Sequence, residues 1–140
     1  MSRSKVLAFG FAVCVSVGTG LAAQTAETAF GTWQHPENGS HIELYACGND
    51  LCAKITKVTD GQKFDDKNPE AEMRKRPIVG LVIMQGAKRA GPAQWAGSLY
   101  NRIDGGIYEG TIKVKSKDQI DLSGCTAVVI CRTVTWSRVK

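Results

Sequence analysis

The residues from Tyr108 to Lys115 alternate strictly: Tyr108, Gly110, Ile112 and Val114 point one way, and Glu109, Thr111, Lys113 and Lys115 the other. A period of two is that of a β-strand with one buried face. No run of ten or more residues carries the 3.6-residue period of an amphipathic helix, so strands have to supply the architecture. The other extended segments are 30–34, 41–47, 51–58, 78–85, 94–101, 119–123 and 133–139. They are separated by turn residues such as Gly48-Asn49-Asp50, Asp104-Gly105-Gly106 and Ser116-Lys117-Asp118. The segment 78–85 is continuously apolar and reads as a strand buried on both faces. Eight short strands with mostly short connections predict an all-β fold, a small antiparallel up-and-down barrel. A two-sheet β-sandwich is the alternative.

The segment ahead of the first strand has a different character. Arg3 and Lys5 precede an apolar run over 6–17, and Leu21-Ala22-Ala23 supplies small residues before Gln24. This is the pattern of a secretory signal peptide cleaved after residue 23. The run falls short of the ~20 apolar residues that span a bilayer, so no membrane-spanning segment is expected. Cys14 lies inside the apolar run behind Phe11-Ala12-Val13, which is not a lipidation pattern. The expected organisation is a leader, 1–23, and a single domain, 24–140, in the periplasm or secreted.

Without the leader the chain carries 16 Lys and Arg against 13 Asp and Glu, a net charge of +3. Lys54, Lys57, Lys113, Lys115, Arg132 and Lys140 are scattered and not interleaved with aromatics, so they read as solvated surface and no nucleic-acid partner is expected. Four cysteines remain: Cys47, Cys52, Cys125 and Cys131. An even number in a small exported domain points to disulfides. A four-residue loop at 48–51 would set Cys47 across from Cys52, and Cys125 reaches Cys131 only if 126–130 folds back. Zinc is disfavoured, because four and five residues separate the cysteines where a zinc site uses two.

Residues for catalysis are scarce. His35 and His41 flank the turn Pro36-Glu37-Asn38-Gly39-Ser40 and read as turn-flanking polar groups, too few for a catalytic metal. No serine sits in a nucleophile elbow, and no glycine loop is built to hold phosphate. No cofactor and no metal are expected, and an enzyme is not the preferred reading. The connection 59–77 is long and polar, the kind of loop that carries function. Its Asp66-x-Asn68-x-Glu70 has the first half of a calcium loop without the glycine and distal glutamate that complete one.

Gly31-x-Trp33 opens the first strand and Trp136-x-Arg138 ends the last. In a closed barrel Arg138 can stack across Trp33, which resembles the calycin arrangement. Asn68-Pro69, Arg74-x-Arg76-Pro77-x-Val79-Gly80-Leu81, Gly97-x-x-Tyr100, Asp104-Gly105, Tyr108 and Gly124-Cys125 extend the likeness over residues 30–139. The chain resembles the bacterial exported family called domain of unknown function 2147, and that resemblance implies a small lipocalin-type barrel without implying an activity. A barrel of eight strands holds its own side chains or one small apolar, lipid-like ligand. The candidate ligand contacts are Trp33, Trp95, Leu99, Tyr108 and Ile112, with Val114 and Leu122 on the same inward faces. A second possibility is an envelope interaction module, in which Arg74 and Arg76 of the 59–77 loop engage a protein partner.

Each cysteine pair closes a short loop, worth about 2–3 kcal/mol of unfolded-state entropy. Reduction is expected to lower the melting temperature by several degrees and leave a β-rich far-UV circular dichroism spectrum. Non-reducing peptide mapping should find no peptide that links the 47–52 region to the 125–131 region.

Overall fold

Where the chain turns decides how its strands pair. A computed structural model describes Gly18, residues 25–127 and residues 129–140; the expected leader, 1–23, lies outside the described residues apart from Gly18. Eight strands follow in order: β1 (Gly31–Gln34), β2 (His41–Cys47), β3 (Asp50–Lys57), β4 (Val82–Gly91), β5 (Gln94–Asn101), β6 (Gly106–Ser116), β7 (Gln119–Ala127) and β8 (Ile130–Arg138). Each pairs antiparallel with the next, and β8 returns to β1, so the sheet is a closed barrel and not a sandwich. Closure removes every free sheet edge.

Two local expectations change. The apolar stretch 78–85 is not one strand: Gly80 adopts φ 92°, outside the β region, and β4 begins only at Val82. Ile78 and Leu81 are nevertheless buried, at 0% and 6% exposure, in the connection that enters β4. An apolar run reports burial without reporting conformation. The β2–β3 hairpin also turns more tightly than a four-residue loop. Cys47 faces Asp50 and Tyr45 faces Cys52, so Gly48 and Asn49 alone make the turn. The Cys47–Cys52 disulfide bridges diagonal neighbours with Cα atoms 5.8 Å apart. Cys125 and Cys131 sit directly opposite one another on β7 and β8, Cα atoms 4.0 Å apart, and are also bonded.

One end of the barrel is sealed. A single 3₁₀ turn, Ala26–Ala29, lies there with Ala26 and Ala29 fully buried. Trp33 Nε1 donates to the Ala29 carbonyl (2.8 Å) and Trp95 Nε1 to the Ala26 carbonyl (2.9 Å). The Arg138 guanidinium stands 4.2 Å from the Trp33 ring centroid and donates to the carbonyls of Phe30, Thr28 and Lys117 at 2.9, 2.6 and 2.5 Å. Gly31 adopts φ 130°, a backbone that side chains rarely tolerate, and a Cβ there would come within 2.5 Å of that guanidinium, so the first residue of the Gly-x-Trp motif has to be glycine. Above this seal Leu44, Leu51, Met84, Ile112 and Ile120 fill the barrel.

Arg138→Ala would strip three carbonyls of their donor and the Trp33 face of its cation, and should lower stability by about 3 kcal/mol. Arg138→Lys should recover less than half, because an ammonium cannot reach all three carbonyls at once. Urea unfolding midpoints of the two variants check both statements.

Candidate functional site

The strand ends farthest from Arg138 do not close over one another. Between them lies a cavity of about 590 Å³, lined by the β1–β2 and β5–β6 turns and by the first half of β8. Its apolar wall comes from Ile42, Ile55, Ile83, Leu99, Leu122, Val134 and Trp136. His35, Ser40, His41, Arg102, Asp104, Tyr108 and Arg132 supply polar groups. An apolar interior with few polar groups is the usual form of a small-molecule site.

Of the residues singled out in the sequence, Leu99, Tyr108 and Leu122 line this cavity. Trp33, Trp95, Ile112 and Val114 do not; they are buried in the sealed half. Alternation assigns each of them to the inward face, but it carries no information about depth along the barrel axis. His35, His41 and Arg132, read from the sequence as turn and surface groups, line the cavity as well. Arg102 and Trp136 had no sequence signal as lining residues.

The polar groups at the mouth are mostly committed to one another. Arg102 is 8% exposed and pairs with Asp60 at 2.8 Å, while its other nitrogen donates to Gln62 Oε1. The hydrogen bond from Arg102, outweighing desolvation, holds the Asp60 carboxyl below its usual pKa. Asp104 accepts from Tyr108 Oη, from Asn101 Nδ2 (3.2 Å) and from the Gly106 amide (2.8 Å). Chiefly through Tyr108, these bonds lower its pKa, and the same bond raises that of Tyr108. The His35 ring stands edge-on to Trp136, centroids 4.9 Å apart, and its Nδ1 accepts from the Glu37 amide at 3.2 Å. Desolvation lowers the His35 pKa; Glu37 opposes this, and Arg132 and Arg102 reinforce it. Burial at this position thus favours the neutral imidazole.

The 59–77 connection is bound to the barrel beside this mouth. Asp65 is fully buried and accepts from Tyr100 Oη (2.5 Å), Asn68 Nδ2 (2.9 Å) and Arg76 Nε (2.9 Å). A second Arg76 nitrogen lies 2.8 Å from the same carboxylate. Arg74 donates to the Asn68 and Pro69 carbonyls at 2.7 and 3.3 Å. Both arginines thus satisfy acceptors of their own loop, and Asn68, which the calcium-like spacing includes, is spent on Asp65. Burial by itself would raise the Asp65 pKa, but the bonds from Tyr100, Asn68 and Arg76 together outweigh it and the net shift is downward. Burial and the Asp65 carboxylate raise the pKa of Tyr100.

A carboxyl with a depressed folded-state pKa contributes fully above its unfolded value and loses that contribution as pH falls through the folded one. Stability should therefore hold from neutral pH to about pH 4 and fall below it. Asp65→Asn should be less stable at pH 7 and show a shallower acid decline, with Asp60 and Asp104 supplying the remainder. Melting temperatures between pH 2 and pH 7, an interval set around the ordinary carboxylate range, test this.

Comparison with known proteins places these observations in a family. A search of curated proteins finds no match. Among solved structures, protein HP1028 from the human pathogen Helicobacter pylori, described as belonging to the lipocalin family, is similar with a TM-score of 0.71. The two are 24% identical over 79% of this chain and 82% of that one, a likeness that shows the fold. The family profile described as an uncharacterized protein conserved in bacteria (DUF2147) matches residues 31–138, from the start of β1 to the end of β8. The chain, an eight-stranded lipocalin-like barrel, belongs to that family.

Proposed function

We propose that this protein is an exported binding barrel that holds one small apolar or lipid-like molecule in the cavity at its open end. The observation that carries the reading is the pairing of a sealed end with an open, apolar-walled space of about 590 Å³. A barrel that served only as a scaffold gains nothing from such a space, because the lining loses the dispersion contacts a filled core would give it. Export is supported by the basic, apolar and small-residue sequence of 1–23 and by two disulfides, which persist in oxidising compartments. The lipocalin-like fold is compatible with a ligand in this position.

The alternative, recognition of an envelope protein through 59–77, has less support. Arg74 and Arg76 are both held by acceptors within the loop, and freeing either would leave those acceptors unpaired.

Native mass spectrometry of the protein purified from its own cell envelope should show a bound small molecule that solvent extraction removes. The extracted protein should then take up a neutral apolar fluorophore such as N-phenylnaphthylamine. Leu122→Trp, which places bulk in the cavity, should abolish uptake with little change in melting temperature. A protein that carries no adduct and takes up no probe would overturn the reading.

A further inference from the structure

The two disulfides are built into the barrel differently. Cys52 is 1% exposed and its sulfur accepts the Gly86 amide at 3.4 Å, so the Cys47–Cys52 bond has one sulfur shut away from solvent. Cys131 is exposed and Cys125 half-buried, and the bond between them lies among the last rungs of the β7–β8 ladder. Ile130, Cys131, Arg132 and Thr133 are all exposed, whichever face of β8 they occupy. β8 meets β1 only at Ser137 and Arg138, so at this height its ladder is with β7 alone. Bonds from Ser123 to Thr133 (2.7 Å) and from Thr135 to Asp121 (2.6 Å) fasten the hairpin lower down. Beyond Thr133 the disulfide is the one covalent or hydrogen-bonded side-chain link between the two strands among the described residues. Gly124, Thr126, Ile130, Cys131 and Arg132, all from this segment, line the cavity.

A disulfide is opened by a thiolate that attacks one sulfur and expels the other, so it needs access to the first and solvation of the second. Burial blocks attack on Cys52. Attack on Cys47 would leave a thiolate at Cys52 with the Gly86 amide in place of water, which disfavours it. Neither obstacle exists at the other pair. We propose that Cys125–Cys131 is a site of thiol–disulfide exchange with an external dithiol, and that opening it releases one wall of the cavity. One thiolate of the dithiol attacks Cys131 Sγ, the exposed sulfur; a bond forms between them and the Cys125–Cys131 bond breaks. Cys125 Sγ leaves as a thiolate and takes a proton from solvent. The second thiol of the dithiol then loses its proton and displaces Cys131, so the pair gains two electrons and the dithiol ends as its own disulfide. Without the cross-link, 124–132 keeps only its backbone ladder and becomes a unit that opens locally, while Cys47–Cys52 still holds β2 to β3. The exchange needs no occupant of the cavity, so it is independent of the binding reading above.

Folded protein treated with dithiothreitol at neutral pH, quenched with N-ethylmaleimide and mapped by mass spectrometry, reads each bond separately. Cys125 and Cys131 should be alkylated at least about tenfold faster than Cys47 and Cys52, a ratio set by access to sulfur. Equal rates, or faster opening of Cys47–Cys52, would overturn the exchange site. Hydrogen exchange of the singly reduced protein, which needs no substitution, should quicken across 124–132 and stay unchanged across 44–55. The double variant Cys125→Ser, Cys131→Ser should give the same pattern with no reductant present. Exchange in the singly reduced protein that matches the oxidised form would overturn the release of the wall. A rise across the whole barrel would overturn it as well, because the bond would then support every strand and not one segment.

Discussion

The barrel depends on what Arg138 does at its sealed end. A closed sheet has no free edges, but closure needs the last strand to meet the first, and β1 is only four residues long. The β1–β8 register consists of Trp33 opposite Arg138 and Gln34 opposite Ser137. So short a ladder contributes little by itself. Arg138 adds a guanidinium over the Trp33 ring and three donated hydrogen bonds, which tie β8 to the residues before β1 and to the β6–β7 turn. The indoles of Trp33 and Trp95 pin the 3₁₀ turn from the other side. Cation, rings and carbonyls together form a lid built from both ends of the described chain.

The opposite end is organised by a buried carboxylate. Asp65 would be costly to bury alone; four donor atoms from Tyr100, Asn68 and Arg76 make it an anchor instead. Its partners lie on β5, in the middle of the long connection and near its C-terminal end, so the loop is fixed as a rim. Asp60 and Gln62 extend that rim to Arg102 and the β5–β6 turn. The loop whose arginines suggested recognition in the sequence thus serves, in the fold, to hold one side of the cavity mouth in place.

The functional reading follows from the asymmetry between the two ends. Polar groups at the sealed end are saturated, and the space there is filled by Trp33, Trp95 and Ile112. At the mouth the apolar wall is left uncovered around a space of about 590 Å³. A filled core would leave no such space, whereas a site that receives a small apolar molecule, as proposed above, uses it.

By itself, the sequence determined the periodicities and what they entail: eight strands, antiparallel order, the inward faces, and the Gly31-x-Trp33 and Trp136-x-Arg138 pair that links the chain's ends. These are legible because side-chain alternation and turn chemistry are local, set by a few neighbouring residues. Only the tertiary structure decided depth and partnership. Trp33 and Leu99 both sit on inward faces, yet one is sealed into the core and the other lines a cavity, because strand tilt and register set height along the axis. Gly80 broke an apolar run that periodicity could not divide. Asp65 found Tyr100 across 35 residues of chain, and Arg102 found Asp60 across 42. Such outcomes depend on which groups the closed barrel brings together, and no local window of the sequence contains that information.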